Sequence, residues 1–204
     1  MGIQTTLSSI QRSFSQGDRC GALGRFLGRA FTAIYTVVIR WRFAEFGEGS
    51  IVECGCRLER PDCIAVGKNV KIGSGVWLNA EDWRNDGGAS LQIGDGTVIS
   101  RYTHINAFKD VVIESDVLIG EGVYIGDTEH VSDDMDRPII KQGWQFKGPV
   151  RLKSGCYIAK GASVLPGVTI GRNAVVGSLS VVTMNVRDGA IVVGNPPRVI
   201  RKGK

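Results

Sequence analysis

Two histidines stand in the 204 residues, His104 and His130. His130 ends the run Asp127-Thr128-Glu129-His130, and Asp133, Asp134 and Asp136 follow at once. An imidazole that is neutral at cellular pH can take a proton from a poor nucleophile such as a hydroxyl, then return it to a leaving group. Glu129 or Asp127 could orient that ring; the alternative is a solvated acidic loop. His104, two residues before Asn106, reads equally as an acceptor-site residue and as a surface histidine. Trp83, Trp144 and Phe146 can stack on flat or ring-shaped ligands, though packing loops together is the more economical use of them. Five cysteines form no closed disulfide set. Cys54, Cys56 and Cys63 fit no common zinc spacing, so no metal site is expected, and Cys156 reads as core.

The elements that must hold these groups follow from a repeat. From Leu152 an aliphatic residue returns every six positions: Leu152, Ile158, Val164, Ile170, Val176 and Val182. Four places after each stands a small or β-branched residue: Cys156, Ala162, Val168, Ala174, Ser180 and Val186. The same register runs through Val52, Leu58, Val66, Ile72, Leu78, Ile93, Ile99, Ile105, Ile113, Ile119 and Ile125. Period six is neither helical nor a plain alternation. It fits one short strand and one corner per hexad, with the large aliphatic turned inward.

The spacing breaks after every third hexad. With three hexads per coil, all four insertions fall on one corner of a triangular prism. Asp62, Asp82, Lys109 and Glu129 stand there, where a small buried residue is expected. Two insertions are long, 80–91 and 127–149, and lie two coils apart, roughly 10 Å. Loops carried on a rigid scaffold are where chemistry concentrates, and His130 is on one of them. The division expected is an N-terminal arm and helix over 1–45, a β-helix over 46–193 and a C-terminal tail over 194–204.

Composition narrows the class further. With 43% hydrophobic and 22% charged residues, the chain can bury one sizeable core, and 28 glycines suit many tight corners. Residues 1–42 hold six arginines (Arg12, Arg19, Arg25, Arg29, Arg40, Arg42) against the single acid Asp18, which leaves 43–204 neutral. A neutral body with a basic arm excludes a nucleic-acid groove along the body and points to phosphates or an anionic surface near the arm. Leu23, Phe26, Leu27, Ala30, Phe31, Ile34, Val37, Val38 and Trp41 have helical spacing. This basic amphipathic helix over 22–42 can lie on a membrane or cap the end of the β-stack. The first 20 residues lack an apolar signal region, and the run Ala30–Ile39 is too short to span a bilayer. The expected location is the cytoplasm, with peripheral contact at the inner face of the plasma membrane open. Met1-Gly2 with Thr6 matches the loose myristoylation pattern.

From Leu152 onward the chain resembles the hexapeptide-repeat acyltransferases. The matching stretches are Val164-Leu165-Pro166-Gly167-Val168-Thr169-Ile170-Gly171, Ser180-Val181-Val182-Thr183 and Gly194-Asn195-Pro196-Pro197-Arg198-Val199-Ile200-Arg201. The resemblance lies nearest the branch of galactoside and maltose acetyltransferases that acetylates sugars or polysaccharide precursors. It implies an all-β, left-handed parallel β-helix; the hand does not follow from spacing, because parallel crossovers are normally right-handed. It further implies a homotrimer, with acetyl-CoA lying between subunits and a sugar or lipid-linked saccharide as acceptor. On this resemblance His130 is the general base, and donor contacts fall on Lys160, Ser178, Thr183, Met184, Arg198 and Arg201. Met184 stands where a Lys is common, and Thr128 where related polysaccharide enzymes often carry a first His. The expected activity is O-acetylation of a sugar hydroxyl by direct transfer. N-acetylation of an amino-sugar nucleotide and a non-catalytic β-helix scaffold are the alternatives. A zinc carbonic anhydrase on the same architecture needs three His ligands, and the chain has two.

Overall fold

A computed structural model describes residues 19–203, with side chains from residue 27 onward. Met1, Gly2, Thr6, Arg12 and Asp18 lie outside the described residues.

The hexads wind into three sheets that form the walls of a prism. Sheet A stacks Glu45–Phe46, Ile64–Val66, Leu91–Ile93, Val111–Ile113, Val150–Leu152 and Thr169–Ile170. Sheet B stacks Ile51–Val52, Lys71–Ile72, Val98–Ile99, Leu118–Ile119, Tyr157–Ile158, Val175–Val176 and Ile191–Val193. Sheet C stacks Arg57–Glu59, Trp77–Ala80, His104–Ala107, Tyr124–Gly126, Ser163–Val164 and Val181–Val182. Neighbouring coils pair in parallel with inward residue over inward residue, so Leu78 faces Ile105 and Ile105 faces Ile125. This is the architecture of a left-handed parallel β-helix.

The core is the column of hexad aliphatics. Ile72, Leu78, Ile99, Ile105, Ile119, Ile125, Leu152, Ile158 and Ile170 are fully buried. The small positions Cys156, Ala162, Val168, Ala174, Ser180 and Val186 are buried as well. Corners are tight because consecutive coils nearly touch: a Cβ on Gly120 would lie 2.7 Å from the backbone nitrogen of Lys160.

Sheet B is covered at both ends of the stack. Helix α1, Arg19–Ile39, lies against the first coil. The hydroxyl of Thr36 donates to the carbonyl of Val52 and accepts that residue's N–H. It thereby satisfies the strand edge that the first coil leaves bare. At the other end Arg198–Arg201 turns back antiparallel on Ile191–Val193 and becomes the last strand of sheet B, so the tail expected over 194–204 is part of the wall. No helix among the described residues is long and apolar enough to cross a membrane.

All insertions leave from the end of sheet C before sheet A begins. Residues 81–90 follow the strand Trp77–Ala80, and 127–149 follow Tyr124–Gly126 two coils later. Asp62 and Glu129 are exposed and Asp82 and Lys109 half-buried, as residues outside the wall should be.

Candidate active site

The longer insertion leaves the wall as a two-stranded antiparallel ribbon, Thr128–His130 against Trp144–Phe146. Its base is fastened by Asp127, which is fully buried. One carboxylate oxygen of Asp127 accepts the N–H of Phe108, at 3.0 Å; the other accepts those of Lys109 and Asp110, each at 2.8 Å. A carboxylate saturated by three backbone donors anchors the ribbon to the coil beneath it. Asp127 is therefore neither a solvated loop acid nor free to orient an imidazole.

His130 pairs across the ribbon with Trp144, and their ring centroids lie 3.7 Å apart at 31°. Successive residues on a strand point to opposite faces, so Glu129, opposite Gln145, faces away from the imidazole. No carboxylate among the described residues bonds His130, and the indole of Trp144 holds the ring instead. Trp144 in turn touches Phe108 at 5.4 Å, and Phe108 meets Trp83 of the shorter insertion at 5.1 Å. Lys109 places its ammonium 4.9 Å over the ring of Phe146. Both insertions thus pack on Phe108, through Trp83 and Trp144. Thr128, on the same ribbon face as His130, has a buried hydroxyl with no partner among the described residues.

One wall leads straight to this ribbon. The outward row of sheet C is Arg57, Trp77, His104 and Tyr124, in register across four coils. The Arg57 guanidinium lies 4.2 Å over Trp77, Trp77 and His104 stack at 4.0 Å and 3°, and Tyr124 meets His104 edge-on at 5.6 Å. Burial pushes the His104 imidazole below its ordinary value of 6.5, against the opposing pull of Asn106 and Glu59. Its Nε2 and the indole nitrogen of Trp77 are buried without a partner among the described residues. Asn106 is buried and already engaged: its carbonyl accepts from the Asn79 amide at 3.1 Å, and its amide nitrogen donates to the Tyr124 hydroxyl at 3.4 Å. It brackets Asn79 and Tyr124.

Sequence reasoning named His104 and missed Trp77 and Tyr124. The signal was present, because each of the three immediately precedes the inward aliphatic of a sheet C hexad: Leu78, Ile105 and Ile125.

The residues expected to contact a donor sit on separate parts of one prism. Lys160 and Ser178 occupy successive turns on the edge between sheets B and C, where Lys160 pairs with Glu121 at 3.2 Å. Thr183 and Met184 are exposed just past the last strand of sheet C, on the insertion edge. Arg198 and Arg201 are exposed on the closing strand of sheet B, where Arg201 donates to the carbonyl of Gly189 at 3.0 Å. One copy does not bring these groups together with His130.

Among the described residues, no three His, Cys, Asp or Glu gather in a way that could hold a metal ion. Burial pushes the Cys156 thiol up to about 12 and the Cys56 thiol to about 11. Neither is a nucleophile at neutral pH.

Comparison with known proteins gives the geometry its kin. A model of the bacterial transferase hexapeptide, six repeats, matches residues 149–183. A probable acetyltransferase of Mycobacterium tuberculosis is 37% identical over 138 residues, covering 68% of this chain and 44% of that protein. Galactoside O-acetyltransferase of Lactococcus lactis is 30% identical over 166 residues, 81% of this chain and 66% of that one. The chain thus spans under half of the first relative and just under two thirds of the second. Among solved structures, a mutant of an N-acyltransferase from Bacillus cereus, in complex with dTDP and coenzyme A, superposes with a TM-score of 0.69. It is 21% identical, with 82% of this chain and 87% of that one covered. A hexapeptide-repeat acetyltransferase from Vibrio cholerae complexed with acetyl coenzyme A gives 0.61 at 24% identity, over 84% and 78%. These two likenesses bear on the fold. With six-residue coils, one insertion edge and these relatives together, the chain belongs to the hexapeptide-repeat acetyltransferase family.

Proposed function

We propose that this protein transfers an acetyl group from acetyl-CoA to a sugar hydroxyl of a surface-polysaccharide or glycolipid precursor, with His130 as general base. The observation that carries this reading is the imidazole held against Trp144 at the root of the insertion, beside a wall whose outward row is aromatic. The 30% identity to a galactoside O-acetyltransferase supports the hydroxyl as acceptor.

The step needs no protein nucleophile. His130 takes the hydroxyl proton as the oxygen attacks the thioester carbonyl. The tetrahedral oxyanion collapses with cleavage of the carbon–sulfur bond, and the imidazolium returns its proton to the departing thiolate. Trp144 fixes the ring for that transfer. Trp77, His104 and Tyr124 form the face on which a saccharide ring lies, and Asn106 holds the Tyr124 hydroxyl in place. Lys160, Arg198 and Arg201 supply cations for the phosphates of the donor, while Ser178, Thr183 and Met184 line its path.

The working unit in this reading is a homotrimer. Its donor-binding groups stand on the B–C edge (Lys160, Ser178), the insertion edge (Thr183, Met184) and the closing strand of sheet B (Arg198, Arg201), and a cleft between copies unites the B–C edge of one with the insertion edge of the next. Tyr102 and Leu179 support it. Both lie on the B–C edge at positive φ, 60° and 58°, and are 70% and 75% exposed. A non-glycine residue in that conformation costs about 1 kcal/mol, and an exposed apolar one gains nothing from water in return.

The second reading, N-acetylation of an amino-sugar nucleotide, is favoured by the flat Trp77–His104 pair, which suits a nucleobase. An acceptor screen with coenzyme A release as readout separates the two. Transfer to hydroxyl sugars above the hydrolysis background supports the first; transfer to amino sugars alone supports the second. If calorimetry detects no acetyl-CoA binding at all, the protein is a scaffold and both readings fail.

A further inference from the structure

We infer that the outward face of helix α1 is a docking surface for an anionic lipid bilayer. The helix touches the β-helix on one side only. Tyr35, Thr36 and Ile39 pack against the first coil. At about 100° per residue, Leu27, Phe31, Ile34 and Val38 fall within about 40° of the direction opposite Thr36. Those four and Trp41, in the short turn Arg40–Arg42 that follows, are 57 to 77% exposed. The groove beside the helix, lined by Arg40 and Glu48, opens toward Ala33, Thr36 and Val37, away from this stripe.

Charge selects what covers the stripe. From Arg19 to Ala44 the sequence has five arginines, Arg19, Arg25, Arg29, Arg40 and Arg42, and no Asp or Glu. The 4-3-4-3 spacing of the stripe also suits a helix–helix seam. However, the seam's flanking positions, Gly28, Ala30, Tyr35, Val37 and Arg42, supply no acid to pair with the arginines of a second copy, and such pairs are what set a coiled-coil partner. A surface of anionic headgroups over acyl chains satisfies both features, taking the apolar stripe and neutralising the guanidiniums. Trp41 beside Arg40, 4.5 Å from ring to guanidinium, has the amphipathic chemistry that settles at a bilayer interface. With no helix able to cross a membrane among the described residues, contact is in-plane and reversible. The helix sits at one end of the prism, so the catalytic wall stays clear of the bilayer it rests on.

The test uses the full chain in co-sedimentation with two kinds of vesicle, phosphatidylcholine alone and phosphatidylcholine mixed with phosphatidylglycerol. The wild type pellets with the anionic vesicles only, and added salt weakens its binding. Phe31→Ser combined with Ile34→Ser abolishes pelleting. Arg29→Gln combined with Arg40→Gln lowers partitioning by about 25-fold, roughly fivefold per arginine. Melting curves establish that each variant is folded; if the serine pair unfolds the chain, the arginine pair decides alone. The inference is overturned if the wild type stays in solution with both vesicles or binds both equally. It is overturned too if the arginine pair binds like wild type. Finally, if the stripe variants instead lower the particle mass in sedimentation velocity while the wild type ignores lipid, the partner is a second copy of the chain.

Discussion

His130 owes its position to an indole rather than a carboxylate, because Asp127 is spent on three backbone donors and Glu129 faces the other side of the ribbon. Removing that indole therefore costs rate more than stability. Trp144→Ala is expected to lower kcat by about 10- to 100-fold with little change in Tm, since Trp144 is a partly exposed residue of the insertion ribbon, and Trp144→Phe restores most of the rate by keeping a stacking ring. A structural role alone would move Tm and leave kcat per folded molecule unchanged. His104 gives a pH signature. Its imidazole titrates below 6.5 when folded because burial disfavours the charged form. Below about pH 6.5 the unfolded chain binds the proton and the folded chain resists it, so stability present above that pH is lost as pH falls. Urea unfolding from about pH 7.5 to 5 will show this slope, and His104→Phe will flatten it; an unchanged slope would exclude the residue as its source.

The insertion ribbon is anchored on the coil beneath it by the Asp127 carboxylate together with the Trp144–Phe108 and Phe146–Lys109 contacts, and the coils themselves are joined by aliphatic columns. Asp127→Ala leaves three N–H groups without their acceptor and is expected to destabilise the fold by about 3 kcal/mol, read as a shift in the urea midpoint; a shift below about 1 kcal/mol would mean that the anchor is dispensable. At this scale the sequence was most legible. A period of six with a large aliphatic at one phase and a small residue at another calls for a coil of short strands and corners, and from Leu152 onward both phases are buried as expected. The insertion edge was legible for the same reason, since a break in period marks where the chain leaves the wall. Asp127 was not legible: in sequence it begins an acidic run, and only the parallel stacking of coils shows that three N–H groups of the Phe108–Asp110 turn converge on it. The Trp77–His104–Tyr124 row was missed because outward residues carry no periodic constraint of their own.

Among the described residues, the B–C edge with Tyr102 and Leu179 and the outer face of α1 are surfaces that water does not favour. Leu179→Gly separates intrinsic strain from assembly. It relieves a left-handed leucine, worth about 1 kcal/mol, so the isolated prism loses no stability to strain, yet it removes the apolar contact that the proposed trimer would make. Light scattering is expected to show a trimer for the wild type and a lower mass at equal concentration for the variant; a monomeric wild type would contradict the shared donor cleft. In the proposed reaction the imidazole on the insertion ribbon takes the proton from the acceptor hydroxyl. Its most direct measurement is the rate of saccharide-dependent coenzyme A release by His130→Ala, alongside calorimetric titration of acetyl-CoA. The expected rate is lower by about 100- to 10,000-fold, with donor affinity unchanged. A variant that transfers acetyl to a hydroxyl at the wild-type rate would contradict it.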